Sequence, residues 1–311
     1  AGGTLNMGYR LNLTETGQQL DYDKLSTLSE GQSASIANVS YCFAADYGPV
    51  FWTTDDDGST LELAAIKADA EAIAAGDAAL TAKYTAWMNS DHRFYVKWYD
   101  QGVTEADNPT KATVYDVRII GINHDDKSDG TGKAGITFQF VNGLNDVYPM
   151  SMSKTNAGGW GASDMMGNLN VGQVWGQLPA AFKSALVEVG KKYYAGPVNL
   201  SATLQSVPSY CFLPSFTEIS ARNFPSGWSK LSSEGSLYAW WKLQDINAQA
   251  NNEAAKKGRQ AAPGDPCSWY LRSAYPTQRN NYVYVNTPGQ TWDGSNYDAS
   301  LPLLVSPCFC L

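Results

Sequence analysis

Along the chain the spacing of apolar positions changes character several times. From Ser59 to Met88 the run STLELAAIKADAEAIAAGDAALTAKYTAWM sets Leu63, Ile66, Ala70, Ile73, Asp77, Leu80, Tyr84 and Trp87 at alternating steps of three and four. That period belongs to a helix with one apolar stripe, interrupted only where Gly76 can break it into two. Ser59 or Thr60, after the acidic DDDG, stands where an N-cap is expected. The stripe suits the seam of a short coiled coil, which would assemble the chain as a homo-oligomer, a trimer, with Asp77 as its one polar position. It suits equally an amphipathic helix lying on its own domain.

Elsewhere the pattern is shorter and closer to alternation. GYRLNL and SYCFAADYGPVFWTT, ahead of the helix, read as short strands. Beyond it, TVYDVRIIGINHDD is dense in β-branched residues and KAGITFQFVNGL alternates at Ile136, Phe138 and Phe140, which predicts two strands around an Asp-rich turn. GGWGASDMMGNLN opens a helical region, and QLPAAFKSALVEVGKKYY reads as a second amphipathic helix with Pro179 in its first turn and Lys191 and Lys192 in its last. Without a βαβ rhythm this mixture predicts an α+β fold with an antiparallel sheet. DQGVTEADNPTKA is the best linker, dividing a small mixed N-terminal assembly or attachment module, residues 1–110, from a ligand-binding domain, residues 111–311.

Charge narrows the function classes. A formal net charge of −8, without any cluster of Lys and Arg, argues against a nucleic-acid partner. No apolar run approaches the ~20 residues that span a bilayer, so membrane insertion is not expected. The five Cys are widely spread, with neither a CxxC pair nor a His partner set. They read as buried free thiols, and Cys308 and Cys310 fall on one face of a closing strand.

The segment from Tyr275 to Ser300 has another texture, with four Tyr, four Asn and three Thr but only Arg279, Asp293 and Asp298 charged. Such a mixture offers rigid amphipathic anchors beside adaptable donors and acceptors, the chemistry of a recognition surface. A polar loop over a sheet is the competing reading. The candidate ligand contacts are Tyr275, Thr277, Arg279, Asn280, Asn281, Tyr284, Asn286, Trp292, Asp293, Asn296, Tyr297 and Asp298. In NNYVYVN the alternation would turn Val283 and Val285 to the core and Tyr282 and Tyr284 outward. Trp175, Trp228, Trp240 and Trp241 are assigned to the scaffold.

Signs of catalysis are thin. The two His are far apart and sit in no metal-ligand spacing. Asn123, Asp125, Asp126 and Asp129 could hold a structural calcium ion, but without the spacing of an EF-hand loop the turn reads more simply as solvated. No other cofactor and no short motif for a catalytic carboxylate pair is indicated.

The order YDVRIIGINHDDKSDGTGKAGITFQF, GGWGASDMMGNLN, QLPAAFKSALVEVGKKY, FLPSFTEI, WYLRSA and VSPCFCL, from Tyr115 to the end, resembles a domain family of unknown function found in bacteria and their phages. Trp269, Leu271, Arg272, Ser273, Phe309 and Cys310 occupy places that the family's final motifs use, with Ala274 where Pro is usual. The family looks like the C-type lectin-like fold of variable proteins of diversity-generating retroelements, among them phage tail tropism determinants. The resemblance implies that Trp269 to Ser273 are scaffold and that Tyr275 to Ser300 form an exposed, diversified surface. Gln278, Gln290 and Trp292 depart from this, since adenine changes cannot reach them from an Asn codon. It further implies a non-enzymatic receptor-binding protein of a phage virion, at the tail tip or in a fibre, with a host-surface protein or glycan and other tail proteins as partners. A bacterial cell-surface adhesin is the second reading. A formylglycine-generating or glycan-acting enzyme on the same fold, working through Cys308 and Cys310 in the first case, is the third.

Overall fold

The structure, a computed structural model, describes residues 48–103, 105, 111–291 and 298–311, together with the backbone of three earlier strands. The chain forms two compact units, Ala1–Pro49 and Val50–Leu311. In the first, Val39–Ala45 lies between Tyr9–Leu13 and Ser33–Ile36 and pairs antiparallel with both.

The second unit is built on a seven-stranded antiparallel sheet. Its order is Cys211–Phe212, Cys308–Cys310, Ile136–Phe140, Ala112–Ile122, Phe94–Tyr99, Phe51–Thr54 and Thr60–Glu62. A four-stranded sheet joins Tyr282–Val285, Trp269–Ala274, Leu303–Leu304 and Val147–Tyr148, and two hairpins complete the strands. The described helices are few and short, so the architecture is α+β with several antiparallel sheets, as the pattern predicts. The division expected at residues 110 and 111 falls elsewhere. Phe94–Tyr99 and Ala112–Ile122 pair in register from Phe94 with Val117 to Tyr99 with Ala112, so the stretch read as a linker joins two strands of one sheet. Pro, Gly and Asp break regular structure in a strand connection as they do between domains.

The helical stripe divides into α1 (Leu63–Ala74) and α2 (Ala78–Asn89). Gly76 between them has φ +99°, a conformation side chains resist. Asp77 is the N-cap of α2, its Oδ1 accepting from the Ala79 and Leu80 N–H groups at 2.9 and 3.0 Å. The polar position in the expected seam is therefore a helix start. Ile66, Ala70, Ile73, Tyr84 and Trp87 are buried in the chain's own core, so the stripe serves internal packing rather than a coiled-coil seam. Contact is close: a Cβ on Gly135 would stand 1.9 Å from the Ala70 carbonyl oxygen. Neither Ser59 nor Thr60 caps α1, because Thr60–Glu62 is drawn into a strand against Phe51–Thr54. At Gly76 the space is open, so Ala there should cost only the strain of the positive φ, about 1 kcal/mol by urea denaturation.

The second expected helix also ends early. Ala180–Ala185 is helical, but Val189–Tyr194 is a strand in which Val189, Lys191 and Tyr193 point inward. Competing periods in AAFKSALVEVGKKYY are resolved by pairing with Leu204–Ser209. Trp228, Trp240 and Trp241 are buried and Trp175 packs at the core's margin, as a scaffold role requires. Cys211, Cys308 and Cys310 are free and buried, and burial pushes all three thiols up, which disfavours the thiolate; Cys267 is free but, against expectation, only half-buried. The side chain of Cys42 lies outside the described residues.

Candidate functional site

The predicted surface is sorted sharply by the structure. Thr277, Gln278, Arg279 and Asn280 are exposed, at the tip between the strands Trp269–Ala274 and Tyr282–Val285. The expectation for Tyr284 is corrected: it is 2% exposed, and all of Tyr282–Val285 is buried, because this strand is covered on both faces. Alternation of Tyr and Val marks two different apolar environments here, not an inside and an outside. Tyr282 hydrogen-bonds the Gly159 carbonyl at 2.9 Å.

Several other candidates hold the frame. Asn281 is buried, and its Nδ2 donates to Gln278 Oε1 at 2.6 Å. Asn286 closes its own turn, its Oδ1 accepting from the Gln290 N–H at 2.8 Å and its Nδ2 donating to Gln290 Oε1 at 2.7 Å. Asp298 accepts from the Ser300 N–H and hydroxyl at 2.9 and 2.6 Å and pairs with Lys154 at 3.7 Å. Tyr275 is half-buried and meets Trp228 edge-on with centroids 5.2 Å apart. Trp292, Asp293, Asn296 and Tyr297 lie outside the described residues.

The tip is held from below by one residue that the sequence did not reveal. Asn156 is fully buried, and its Nδ2 donates to the Gln278 and Asn281 carbonyls at 2.7 Å each, while its N–H donates to the Arg279 carbonyl at 2.9 Å. Both amide hydrogens are used, which fixes the side chain's orientation. Backbone groups from Gln278 to Asn281 are thus pinned while the Thr277, Arg279 and Asn280 side chains stay in solvent.

A second site lies in the interior. Lys191 reaches Asp125 at 2.6 Å, Glu218 at 2.9 Å and the Tyr238 hydroxyl at 3.1 Å. Arg272 grips Glu218 with both terminal nitrogens and donates to the Lys192, Leu213 and Glu234 carbonyls at 3.0, 3.0 and 2.7 Å. Glu234 accepts from the Ser273 hydroxyl and, at 3.1 Å, from the Tyr194 N–H. Glu218 also forms a capping box with Ser215, so the sequence pattern Ser-x-x-Glu could have signalled it. Lys191 was hidden by the helical reading of its segment.

Burial opposes charge at every one of these groups, and the neighbours decide each outcome. Burial raises Asp125 and Glu218, but Lys191 beside the first and Arg272 and Lys191 beside the second hold both below the usual carboxylate range. At Glu234 burial outweighs Arg272 and Ser273, and its carboxyl is pushed up to about 7. The network floors a cleft of about 540 Å3 with His124, Lys133, Lys192 and Ser232 on its walls. Its charges are paired within the fold, and Glu234 is the group there poised to exchange a proton near neutral pH.

The residues proposed for calcium do not converge. Asp125 faces Lys191, Asp126 pairs with Lys133 at 2.6 Å, Asp129 binds Thr131, and the Asn123 amide donates to the Ile73 carbonyl. Among the described residues no group of three or more His, Cys, Asp or Glu could hold a metal ion, and no helix is long and apolar enough to cross a membrane.

Residues 85–311 match the model of a family described as a domain of unknown function, DUF6273, and the chain belongs to that family. No curated protein and no solved structure matches it.

Proposed function

We propose that this DUF6273 chain is a non-catalytic ligand-binding protein whose exposed tip, Thr277 to Asn280, recognises a molecule on a host surface. The observation that carries this reading is the contrast across a few residues. Scaffold side chains on both sides of the tip are buried, its backbone is clamped by Asn156, and the Thr277, Arg279 and Asn280 side chains are left in water. A surface that must tolerate change needs a frame that does not depend on it. The buried Trp269 to Ser273 segment agrees with the scaffold role that the C-type lectin-like resemblance implies. That resemblance also supports a phage tail tip as the setting.

The test uses glycan and protein arrays and whole bacterial cells. Replacing Thr277, Arg279 and Asn280 together by Ala should abolish binding while moving stability by no more than about 0.5 kcal/mol, as solvent-facing changes do. Binding retained by the triple variant, or loss of the fold, removes the tip as the recognition surface.

A further inference from the structure

Beside the tip lies a pocket of about 280 Å3, partly open to solvent and walled by Thr155–Ala157, Ala195–Pro197, Leu200–Ala202 and Arg279. Its walls are made at a conformational cost. Gly196 and Ser201 in the walls, and Lys154, Gly158 and Gly159 flanking the first wall in sequence, all have positive φ, two of the five with side chains that disfavour it. Each such non-Gly residue costs on the order of 1 kcal/mol or more and persists only where its surroundings hold it. Here they do: the Gly158 N–H donates to the Ala195 carbonyl at 3.1 Å, the Asn199 N–H to the Pro276 carbonyl at 2.9 Å, and the Asn156 clamp ties the first wall to the tip. A Cβ on Gly159 would lie 2.1 Å from the Tyr194 carbonyl oxygen, so this wall is pressed on the end of a strand.

The groups presented are unlike those of an ordinary surface dimple. Arg279 is exposed, with no acidic partner among the described residues. Gly196 is buried, and its N–H donates to no group among the described residues. Ser201 contributes an exposed hydroxyl, while Ala157, Ala195, Pro197 and Ala202 give small apolar contacts. The pocket's small volume leaves room for about one ring, which suits a single terminal unit better than several units of an extended chain.

We infer that this pocket takes a carboxylated sugar unit at the end of a glycan, its carboxylate paired with Arg279, its hydroxyls bonded to the Ser201 and Gly196 groups, and its C–H face on the Ala and Pro floor. Arg is suited to this because its planar fork matches a carboxylate with two charge-assisted hydrogen bonds. The volume is near the lower end of small-molecule pockets and fits about one ring. This inference rests on the ligand-binding reading of the tip and names its ligand class.

The experiment titrates the full chain with D-glucuronate, D-glucose and N-acetyl-glutamate, followed by calorimetry and NMR. Glucuronate should bind saturably in the millimolar range, with glucose and N-acetyl-glutamate each weaker by about tenfold. Arg279→Gln should remove the preference for glucuronate over glucose, and Ala202→Leu, which fills the pocket, should abolish binding without Arg279 being touched. Equal binding of glucose shows that no carboxylate is read, equal binding of N-acetyl-glutamate shows that no sugar is read, and no binding of glucuronate removes the pocket; each overturns the inference. The two readings fail separately. If glucuronate does not bind but the triple tip variant still loses cells or array ligands, recognition by the tip stands without this pocket. If glucuronate binds and the tip variant loses no cell or array binding, the pocket stands and the host-recognition reading falls.

Discussion

Arg272→Ala should destabilise the second unit by about 3 to 5 kcal/mol, enough to leave a domain of ordinary stability largely unfolded on modest warming. All five guanidinium N–H groups are used, two on Glu218 and three on carbonyls from three different segments. Removing the side chain strands Glu218 beside Asp125, two buried carboxylates with only Lys191 left between them. It also leaves three carbonyls without their donor, and buried groups without partners cost more than the bonds themselves were worth. Arg272→Lys should recover little, because three donors on a flexible stem cannot serve five acceptor positions arranged around a planar fork. Urea denaturation of the two variants decides this. A loss below about 1 kcal/mol for Arg272→Ala would mean that the network relaxes around a cavity and does not hold the segments together.

This network also shows where the sequence was readable. Strong local signals were reliable: the two helices around Gly76, the strand pair around the Asp-rich turn, the buried Trp228, Trp240 and Trp241 and the buried closing thiols all follow from period and composition. Signals with two physical meanings were not. Asp77 interrupts an apolar seam equally well as a polar core residue or as a cap, and only the turn at Gly76 distinguishes them. The charges of Asp125 and Lys191 look solvated in sequence, because burial of an ion depends on a partner 66 residues away. At the candidate surface, composition identified a polar region but could not tell Tyr284, which is buried, from Arg279, which reaches solvent. A Tyr is equally at home in both places. What selected the exposed tip was the Asn156 clamp, made more than 120 residues upstream of the loop it holds.

The same interior should make stability fall as pH rises towards neutrality, and Glu234→Gln should abolish that fall. The Glu234 carboxyl, ordinarily near 4.5, is raised to about 7 by burial. At pH below about 4.5 the folded and unfolded chains both carry this proton, and the residue contributes no pH dependence. Between about 4.5 and 7 the unfolded chain releases the proton and the folded chain keeps it, so stability drops as pH rises; above about 7 the drop is complete, at about 3 kcal/mol. Neighbouring groups act in other directions. Asp125 and Glu218, held low by Lys191 and Arg272, contribute stability that is lost only as pH falls below their ordinary range. His124, tilted against the Tyr238 ring with centroids 4.0 Å apart and kept neutral mainly by burial, favours the folded chain as pH rises through the ordinary imidazole range and masks part of the fall. Lys191 and Arg272, raised by their carboxylate partners, keep their charge throughout this window. The comparison of variant with parent isolates Glu234 from all of these. A Gln there reproduces the protonated acid, its oxygen accepting from the Tyr194 N–H and its amide donating to the Ser273 hydroxyl, which already accepts from the Phe216 N–H at 2.9 Å. Glu234→Gln should therefore match the parent near pH 4.5 and exceed it by about 3 kcal/mol near pH 8. Denaturant titrations at a series of pH values measure the difference. Parallel curves for parent and variant would show that Glu234 ionises in the folded chain as readily as in water, and that the network accommodates a third carboxylate without cost.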